Sequence, residues 1–129
     1  MAGMWEAKIN RLYFALDGTL SAADSLKIGQ PYDVIAEIEV GAALNNVNIE
    51  DKLVVTVTNL TTGMVVRTEK PTRVLTPTNT IRRESRSVDF ASLVALDGDV
   101  LTATCSYRAE GGGNVSTDTG STIPTPAVA

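Results

Sequence analysis

Apolar and polar side chains take alternate positions along several stretches of this 129-residue chain. The clearest stretch is 101–109, where Leu101, Ala103, Cys105, Tyr107 and Ala109 fall on one face and polar residues fall on the other. A repeat of two residues is that of a β-strand with one face in a core and the other in water, whereas a helix repeats every 3.6 residues. The alternation therefore predicts an antiparallel strand here and a fold built from strands.

Six further stretches have a strand pattern and are separated by turn residues. They span residues 8–16, 32–40, 53–58, 64–69, 80–90 and 115–123. β-Branched residues suit a pleated surface better than a helix, and they occupy 37 of the 129 positions. Within 32–40, Asp33, Glu37 and Glu39 are expected to face water. Residues 22–26 are a candidate for a single helical turn, and 41–51 is predicted to be a loop.

About seven strands, without a helix long enough to join parallel strands, indicate an all-β protein. The economical arrangement is an antiparallel two-sheet sandwich with Greek-key connections. We expect the sandwich to occupy 8–123, with an extended N-terminal arm at 1–7 and an extended C-terminal tail at 124–129. A chain of this length is expected to form one domain with a self-sufficient core.

The chain contains no histidine and one cysteine. Histidine is the commonest general base and metal ligand, so its absence removes Ser/His/Asp and Cys/His catalytic arrangements. A single cysteine excludes an internal disulfide and a zinc site made of several thiolates. The composition therefore argues against an enzyme, and we expect no catalytic residue, no cofactor and no metal site.

Two groups with reactive or ligating side chains have simpler structural explanations. Cys105 lies in the apolar row of 101–109, so we expect a buried side chain rather than a nucleophile. Asp89, Asp97 and Asp99 carry oxygen atoms that calcium binds, but the twelve-residue calcium loop is absent. Aspartates beside Gly98 are ordinary turn residues, and we predict that role for them.

Four segments, taken in order, resemble an immunoglobulin-like sandwich. They are GQPYDV at 29–34, LVVTV at 53–57, TGMVV at 62–66 and DGDVLTA at 97–103. The likeness covers about residues 8–123 and is to the disulfide-free kind found in bacterial and phage surface proteins. Antibody domains are excluded, because Cys105 has no partner near Ala36 and Ala103 stands where their corner tyrosine would be.

The resemblance implies a phage virion accessory protein, such as a head decoration (cement) protein. We expect a non-enzymatic structural protein that forms homo-oligomers and that binds and stabilises the shell, through the major capsid protein or another virion protein, with its two termini and a basic edge. Because the start lacks a secretory signal, we expect synthesis in the host cytoplasm and a final place in the virion. No stretch is long and apolar enough for a membrane span, so no membrane contact is expected. A phage neck or tail subunit and a bacterial surface or carbohydrate-binding module are the alternatives.

Basic residues concentrate between positions 67 and 86, and they are predicted to bind a partner. The predicted set is Arg67, Lys70, Arg73, Arg82, Arg83 and Arg86, against only Glu69 and Glu84 in the same segment. This local excess, in a chain of net charge −4, favours docking on an acidic surface, although it also fits a solvated strand edge protected from aggregation. Nucleic acid is not an expected partner, because no aromatic residue lies between the arginines to stack on bases.

Trp5 is the only tryptophan, and it lies before the first predicted strand. One interpretation is that it caps the end of the sandwich. The other is that it anchors a partner, since tryptophan is enriched at binding hot spots. Trp5 is therefore included among the predicted partner-binding residues, and both interpretations stay open.

Overall fold

The structure, a computed structural model that describes residues 2–129, consists of strands and one short helix. The strands are β1 (Ala7–Leu16), β2 (Leu26–Lys27), β3 (Tyr32–Val40), β4 (Ile49–Asn59), β5 (Met64–Glu69), β6 (Thr72–Leu75), β7 (Arg82–Phe90), β8 (Val100–Gly111), β9 (Asn114–Ser121) and β10 (Thr125–Val128). The helix, α1, covers Ala42–Asn45. No helix among residues 2–129 is long and apolar enough to cross a membrane.

The seven longer strands match the seven predicted stretches, and the all-β fold class is confirmed. The shorter strands β2, β6 and β10 lie outside the seven predicted stretches, and β10 lies in the predicted tail. The predicted helical turn at 22–26 is wrong, because Ala22 forms a bridge with Ala15 and Leu26 begins β2. The helical turn lies instead at α1, inside the predicted loop.

The strands form two sheets packed face to face as an immunoglobulin-like sandwich. Sheet one has the order β1-β3-β7 and is antiparallel throughout. Sheet two has the order β2-β10-β8-β4-β5. In sheet two, β5 and β6 both pair with β4, one after the other along the same edge. β9 pairs with the edge of β8 that faces away from β4. Its pairing is antiparallel except for a short parallel contact between β10 and β2.

One core lies between the sheets and is formed by the inward-facing apolar rows. The apolar row of β8 is buried throughout, including Cys105 and Tyr107, as the alternation predicts. Phe14, Tyr32 and Phe90 pack together across sheet one, with ring centroids 6.0 and 5.2 Å apart. Because a fully buried large apolar side chain contributes about 1.5–3 kcal/mol, this core stabilises the fold without a disulfide.

The central strand β3 is buried on both faces, which corrects part of the prediction that its polar face meets water. Asp33 and Glu39 are buried, and only Glu37 is partly exposed. Two neighbouring segments cover the ends of this outer face. The backbone N–H of Gly18 donates to Asp33 Oδ2 at 3.0 Å, and that of Ala2 donates to the Glu39 carboxylate.

The predicted N-terminal arm lies against the sandwich. The N–H of Gly41 donates to the carbonyl of Glu6 at 2.9 Å, and that of Leu44 donates to the carbonyl of Met4 at 3.0 Å. A Cβ at Gly41 would collide with the backbone at Met4, so only glycine permits this close approach. Met1, the first residue of the predicted arm, lies outside the described residues.

The predicted C-terminal tail contributes a strand to sheet two, so the expected boundary at residue 124 falls inside the sandwich. β10 lies between β8 and β2. Ala127 is fully buried, and its N–H donates to the carbonyl of Asp99 at 2.7 Å. Its own carbonyl accepts from the N–H of Gly98 at 2.9 Å. Backbone hydrogen bonds therefore hold a segment whose Pro-, Thr- and Ala-rich composition is typical of a tail.

Candidate functional site

The predicted basic residues lie on the side of the sandwich where β5 and β6 approach β7, and they fall into two groups. The largely buried group comprises Arg73, Arg82 and Arg86. The exposed group comprises Arg67, Lys70 and Arg83. The segment that looks uniformly basic in sequence is therefore divided between internal contacts and the surface.

Asp51 is the centre of a partly buried ionic cluster formed by Asp51, Arg73, Glu84, Arg86 and Tyr107. The fully buried Asp51 carboxylate accepts from Arg73 Nε at 3.0 Å and from the Tyr107 hydroxyl at 2.7 Å. Arg86 approaches the same carboxylate at 3.4 Å, and Arg73 also donates to Glu84 at 2.7 Å. Because Asp51 lies on β4 while Glu84 and Arg86 lie on β7, the ionic cluster joins the two sheets.

Burial and pairing shift the pKa values of groups in the ionic cluster. Burial and the adjacent Asp51 carboxylate raise the pKa of Tyr107, so its hydroxyl remains a donor. Burial alone would lower the pKa of Arg73, but hydrogen bonds to Glu84 and Asp51 raise it overall. Hydrogen bonds from Arg73 lower the pKa of Glu84. These groups keep one protonation state at neutral pH, which suits a structural contact rather than an acid–base catalyst.

Arg82 holds the loop that precedes β7. The buried Asn45 side chain at the end of α1 donates to the carbonyls of Thr78 at 3.1 Å and Thr80 at 2.9 Å. Arg82 Nε in turn donates to Asn45 Oδ1 at 2.8 Å. Arg82 is therefore engaged within the chain.

Two of the three exposed basic residues also form ion pairs. Arg67 pairs with Glu69 at 2.6 Å, and Arg83 pairs with Glu39 at 2.9 Å. Glu39 and Asp51 lie outside the segment 67–86 and offset part of its charge. The basic surface that a partner meets is smaller than the local sequence charge indicates.

Trp5 is 48% exposed, and the neighbouring Met4 is also exposed. Their backbone is fixed, since the carbonyl of Met4 accepts from Leu44 on α1. Part of the indole is therefore covered by the protein, and the rest is accessible to a partner.

Five of the large exposed apolar side chains lie in separate loops and strand ends at one end of the sandwich, the end that carries the turn after β1, the β4–β5 turn and the β7–β8 loop. We call this surface the apolar end. Its exposed residues are Leu16 (56%), Leu20 (59%), Leu60 (50%), Val94 (78%) and Leu96 (75%). Exposed apolar patches on soluble proteins mark interaction surfaces. The sequence patterns did not reveal this surface, because each of these residues lies in a loop or at a strand end without periodic neighbours.

Asp99 fixes two loops of the apolar end. Its Oδ2 atom accepts from Asn59 Nδ2 at 2.8 Å and from the N–H of Leu96 at 3.0 Å. The hydrogen bond from Leu96 and the one from Asn59 lower the pKa of Asp99. Asp99 thus has the turn-stabilising role that its position beside Gly98 predicts.

Asp17, Asp33 and Asp89 bring three carboxylates together near the apolar end, on the outer face of sheet one. One oxygen of each lies within 4.8 Å of the others. Burial raises the pKa of Asp33, hydrogen bonds from Gly18 and Ser87 oppose the rise, and the Asp89 carboxylate adds to it. The sequence did not associate these three residues, which lie in separate segments.

A cleft of about 520 Å³ lies where β1 diverges from the connection between β9 and β10. Its wall includes Tyr13, with the Arg11 guanidinium 4.2 Å from the ring centroid. The Tyr13 hydroxyl donates to the carbonyl of Leu20 at 2.8 Å. The cleft therefore has one partly exposed aromatic ring beside charged and hydroxyl groups.

Cys105 is buried in the core, as expected from its place in the apolar row. Burial raises the pKa of its thiol to about 11. The thiol is therefore protonated at neutral pH, whereas a nucleophilic cysteine requires an accessible thiolate.

Comparison with solved structures finds the same architecture in sequences of low identity. The C-terminal domain of wzt aligns with a TM-score of 0.57 at 13% identity, over 98% of this chain and 76% of that chain. The beta-glucuronidase 2 of Bacteroides uniformis aligns with a TM-score of 0.54 at 9% identity, over 90% of this chain. No protein family and no curated protein matches the sequence.

These likenesses support the immunoglobulin-like β-sandwich and, at such low identity, the fold alone. The chain spans 14% of the length of the beta-glucuronidase, so the match concerns a small part of that enzyme. A fold of this kind has many functions, and the function of this chain must be inferred from its own surfaces.

Proposed function

We propose that this chain is a non-enzymatic structural protein that decorates a virion shell and binds it through the apolar end. The observation that carries the proposal is the group of five large apolar side chains, each at least half exposed, at that end. Contact with water is unfavourable for these side chains, and a partner that covers them gains the free energy of their burial. The expected partner is the major capsid protein or another virion protein, and the expected location is the virion.

The charges around the apolar end specify the complementary surface. Asp17, Asp89 and Asp97 are exposed at this end, so a matching partner has an apolar patch bordered by lysine or arginine. Lys70, which follows β5, lines a shallow pocket together with Asp89, so positive and negative side chains meet at this border. Many copies on a shell add weak contacts by avidity.

Purified virions test the proposal directly. Particles produced from the genome that encodes this chain should contain it in many copies, as measured by quantitative mass spectrometry. Electron cryomicroscopy of the same particles should locate the sandwich on the shell surface. A particle preparation that lacks the chain would reject the shell-binding role.

Matched substitutions test the binding surface. Val94→Ser at the apolar end should weaken binding to undecorated shells about tenfold, because burial of one valine contributes more than the 1.4 kcal/mol that a factor of ten requires. Val74→Ser is the control, since Val74 is 75% exposed but lies on β6 at the opposite end. Arg67→Ala and Lys70→Ala test the basic side in the same binding assay. Equal loss in the two valine variants would argue against the apolar end.

A carbohydrate-binding module is the second candidate, and the cleft beside Tyr13 is the observation that favours it. Aromatic rings with adjacent polar groups are common in sites for small polar ligands. On this alternative, isothermal titration with oligosaccharides selected from a glycan array should show binding that Tyr13→Ala abolishes. Glycan binding by a monomer that is absent from virions would favour this alternative over the shell role.

A further inference from the structure

The carboxylates of Asp17, Asp33 and Asp89 come from three elements of sheet one. Asp33 is the second residue of β3, and Asp89 is its antiparallel partner on β7. Asp17 follows β1 in the turn that contains Gly18. With one oxygen of each within 4.8 Å of the others, the three negative charges repel one another unless a cation or a proton lies between them.

Asp33 has an oxygen atom without a partner. Its Oδ2 atom accepts from the N–H of Gly18 at 3.0 Å and from the hydroxyl of Ser87 at 3.2 Å. Its Oδ1 atom is buried and receives no hydrogen bond from residues 2–129. The residue is 1% exposed, so solvent does not compensate for the missing partner. Buried polar atoms are nearly always satisfied, so an exception of this kind requires an explanation such as a bound water or ion.

The groups around Asp33 favour a positively charged partner for its Oδ1 atom. The carboxylate of Asp89 lies beside that of Asp33, and it supplies acceptor atoms rather than a donor. Among residues 2–129, the lysine and arginine side chains that form ion pairs do so with carboxylates other than these three. The three carboxylates of Asp17, Asp33 and Asp89 therefore place excess negative charge around the buried Asp33 Oδ1 atom.

We propose that Asp17, Asp33 and Asp89 bind one calcium ion, with Asp33 as the buried ligand. Calcium is bound by oxygen atoms at about 2.3–2.6 Å, so two of its ligands lie at most about 5 Å apart, as the three carboxylates do. Asp17 and Asp89 are exposed, and water completes the coordination on that side. Magnesium requires near-ideal octahedral geometry at about 2.0–2.1 Å, which three ligands from separate segments satisfy less readily.

A bound ion fastens the turn after β1 to β3 and β7. It also offsets part of the negative charge of Asp17 and Asp89 at the border of the apolar end, whereas Asp97 stays outside the site. The site does not depend on the shell-binding proposal, because its residues and its test concern the isolated chain.

Calorimetry on the EDTA-treated full chain tests the proposal. Titration with CaCl₂ should give one ion per chain, and a concentration well above Kd should raise the melting temperature by about 5 °C or more. Asp33→Asn and Asp89→Asn should each abolish the binding heat and this rise. Asp24→Asn is the matched control, because Asp24 is an exposed aspartate of the β1–β2 connection that does not belong to the three-carboxylate cluster.

A second measurement separates lost binding from lost folding. In EDTA, Asp33→Asn should melt at or above the temperature of the unsubstituted chain. The asparagine oxygen still accepts from Gly18 and Ser87, and its amide gains a donor group toward Asp89. No calcium heat, calcium binding that survives Asp33→Asn, or tighter binding of Mg²⁺ than of Ca²⁺ would overturn the proposal.

Discussion

At the residue scale, the Asp51 carboxylate shows how this fold tolerates a fully buried charge. Removing a carboxylate from water is unfavourable, and only close, well-directed donors offset that free energy. Arg73, Arg86 and Tyr107 supply these donors from three different strands. The buried charge therefore makes the relative position of the two sheets depend on specific pairs as well as on apolar packing.

Tyr107→Phe is predicted to destabilise the protein by about 1.5–3 kcal/mol, because it removes a hydrogen bond to a buried charged group without changing the packing. Urea unfolding should show the loss as a lower free energy of unfolding. Tyr13→Phe is the control, since the Tyr13 hydroxyl donates to a neutral carbonyl at an exposed site. Equal losses in the two variants would contradict the role given to Asp51.

The lowered pKa of Glu84 predicts a loss of stability in acid. Its ordinary value is 4.5, and hydrogen bonds from Arg73 lower the pKa in the folded state. The stabilisation is complete above the unfolded value and is lost as the pH falls through the folded value. The midpoint temperature of thermal unfolding should therefore decrease as the pH is lowered below about 4.5. Glu84→Gln should reduce this dependence, whereas Glu50→Gln, at an exposed position, should leave it unchanged.

At the scale of the strands, β7 shows the limit of reasoning from alternation. Its inward face begins with Arg82, Glu84 and Arg86 and ends with Val88 and Phe90. The period of two correctly indicates a strand, but polarity suggests that the first three residues face water. They face inward because each meets a partner from another segment: Arg86 pairs with Asp51 on β4, Glu84 pairs with Arg73 on β6, and Arg82 donates to Asn45 of α1.

β10 is predicted to be essential to the fold. Ala127→Asp should cost more than about 3 kcal/mol, because it places an unpaired charge at a fully buried position. Val128→Asp should cost much less, since the adjacent side chain is partly exposed. Thermal or urea unfolding distinguishes the two variants. Equal stability of both would mean that residues 124–129 are a loosely attached tail.

At the scale of the whole molecule, one core and the ionic cluster connect the two sheets. The core contains residues from eight of the ten strands described here and from α1. The charge distribution is also a property of the assembled sandwich, because Glu39 and Asp51 offset basic residues that lie more than 20 positions away. No strand or loop alone determines this distribution.

The protein is predicted to unfold in a single cooperative transition, with the same midpoint in the presence and absence of a reducing agent. The shared core couples the sheets, and the single cysteine cannot form an internal disulfide. Differential scanning calorimetry should give equal calorimetric and van't Hoff enthalpies. Two separate transitions would show that the sheets unfold independently.

The sequence by itself determined the seven longer strands, the all-β class and the burial of Cys105 and Tyr107. Alternation is a local property, since adjacent residues of a strand point to opposite faces whatever their partners are. Only the tertiary structure decided that Asp33 is covered and that 124–129 includes a strand. It also decided which basic residues are internal. These outcomes depend on strand register and sheet packing, which bring together side chains that are distant in sequence.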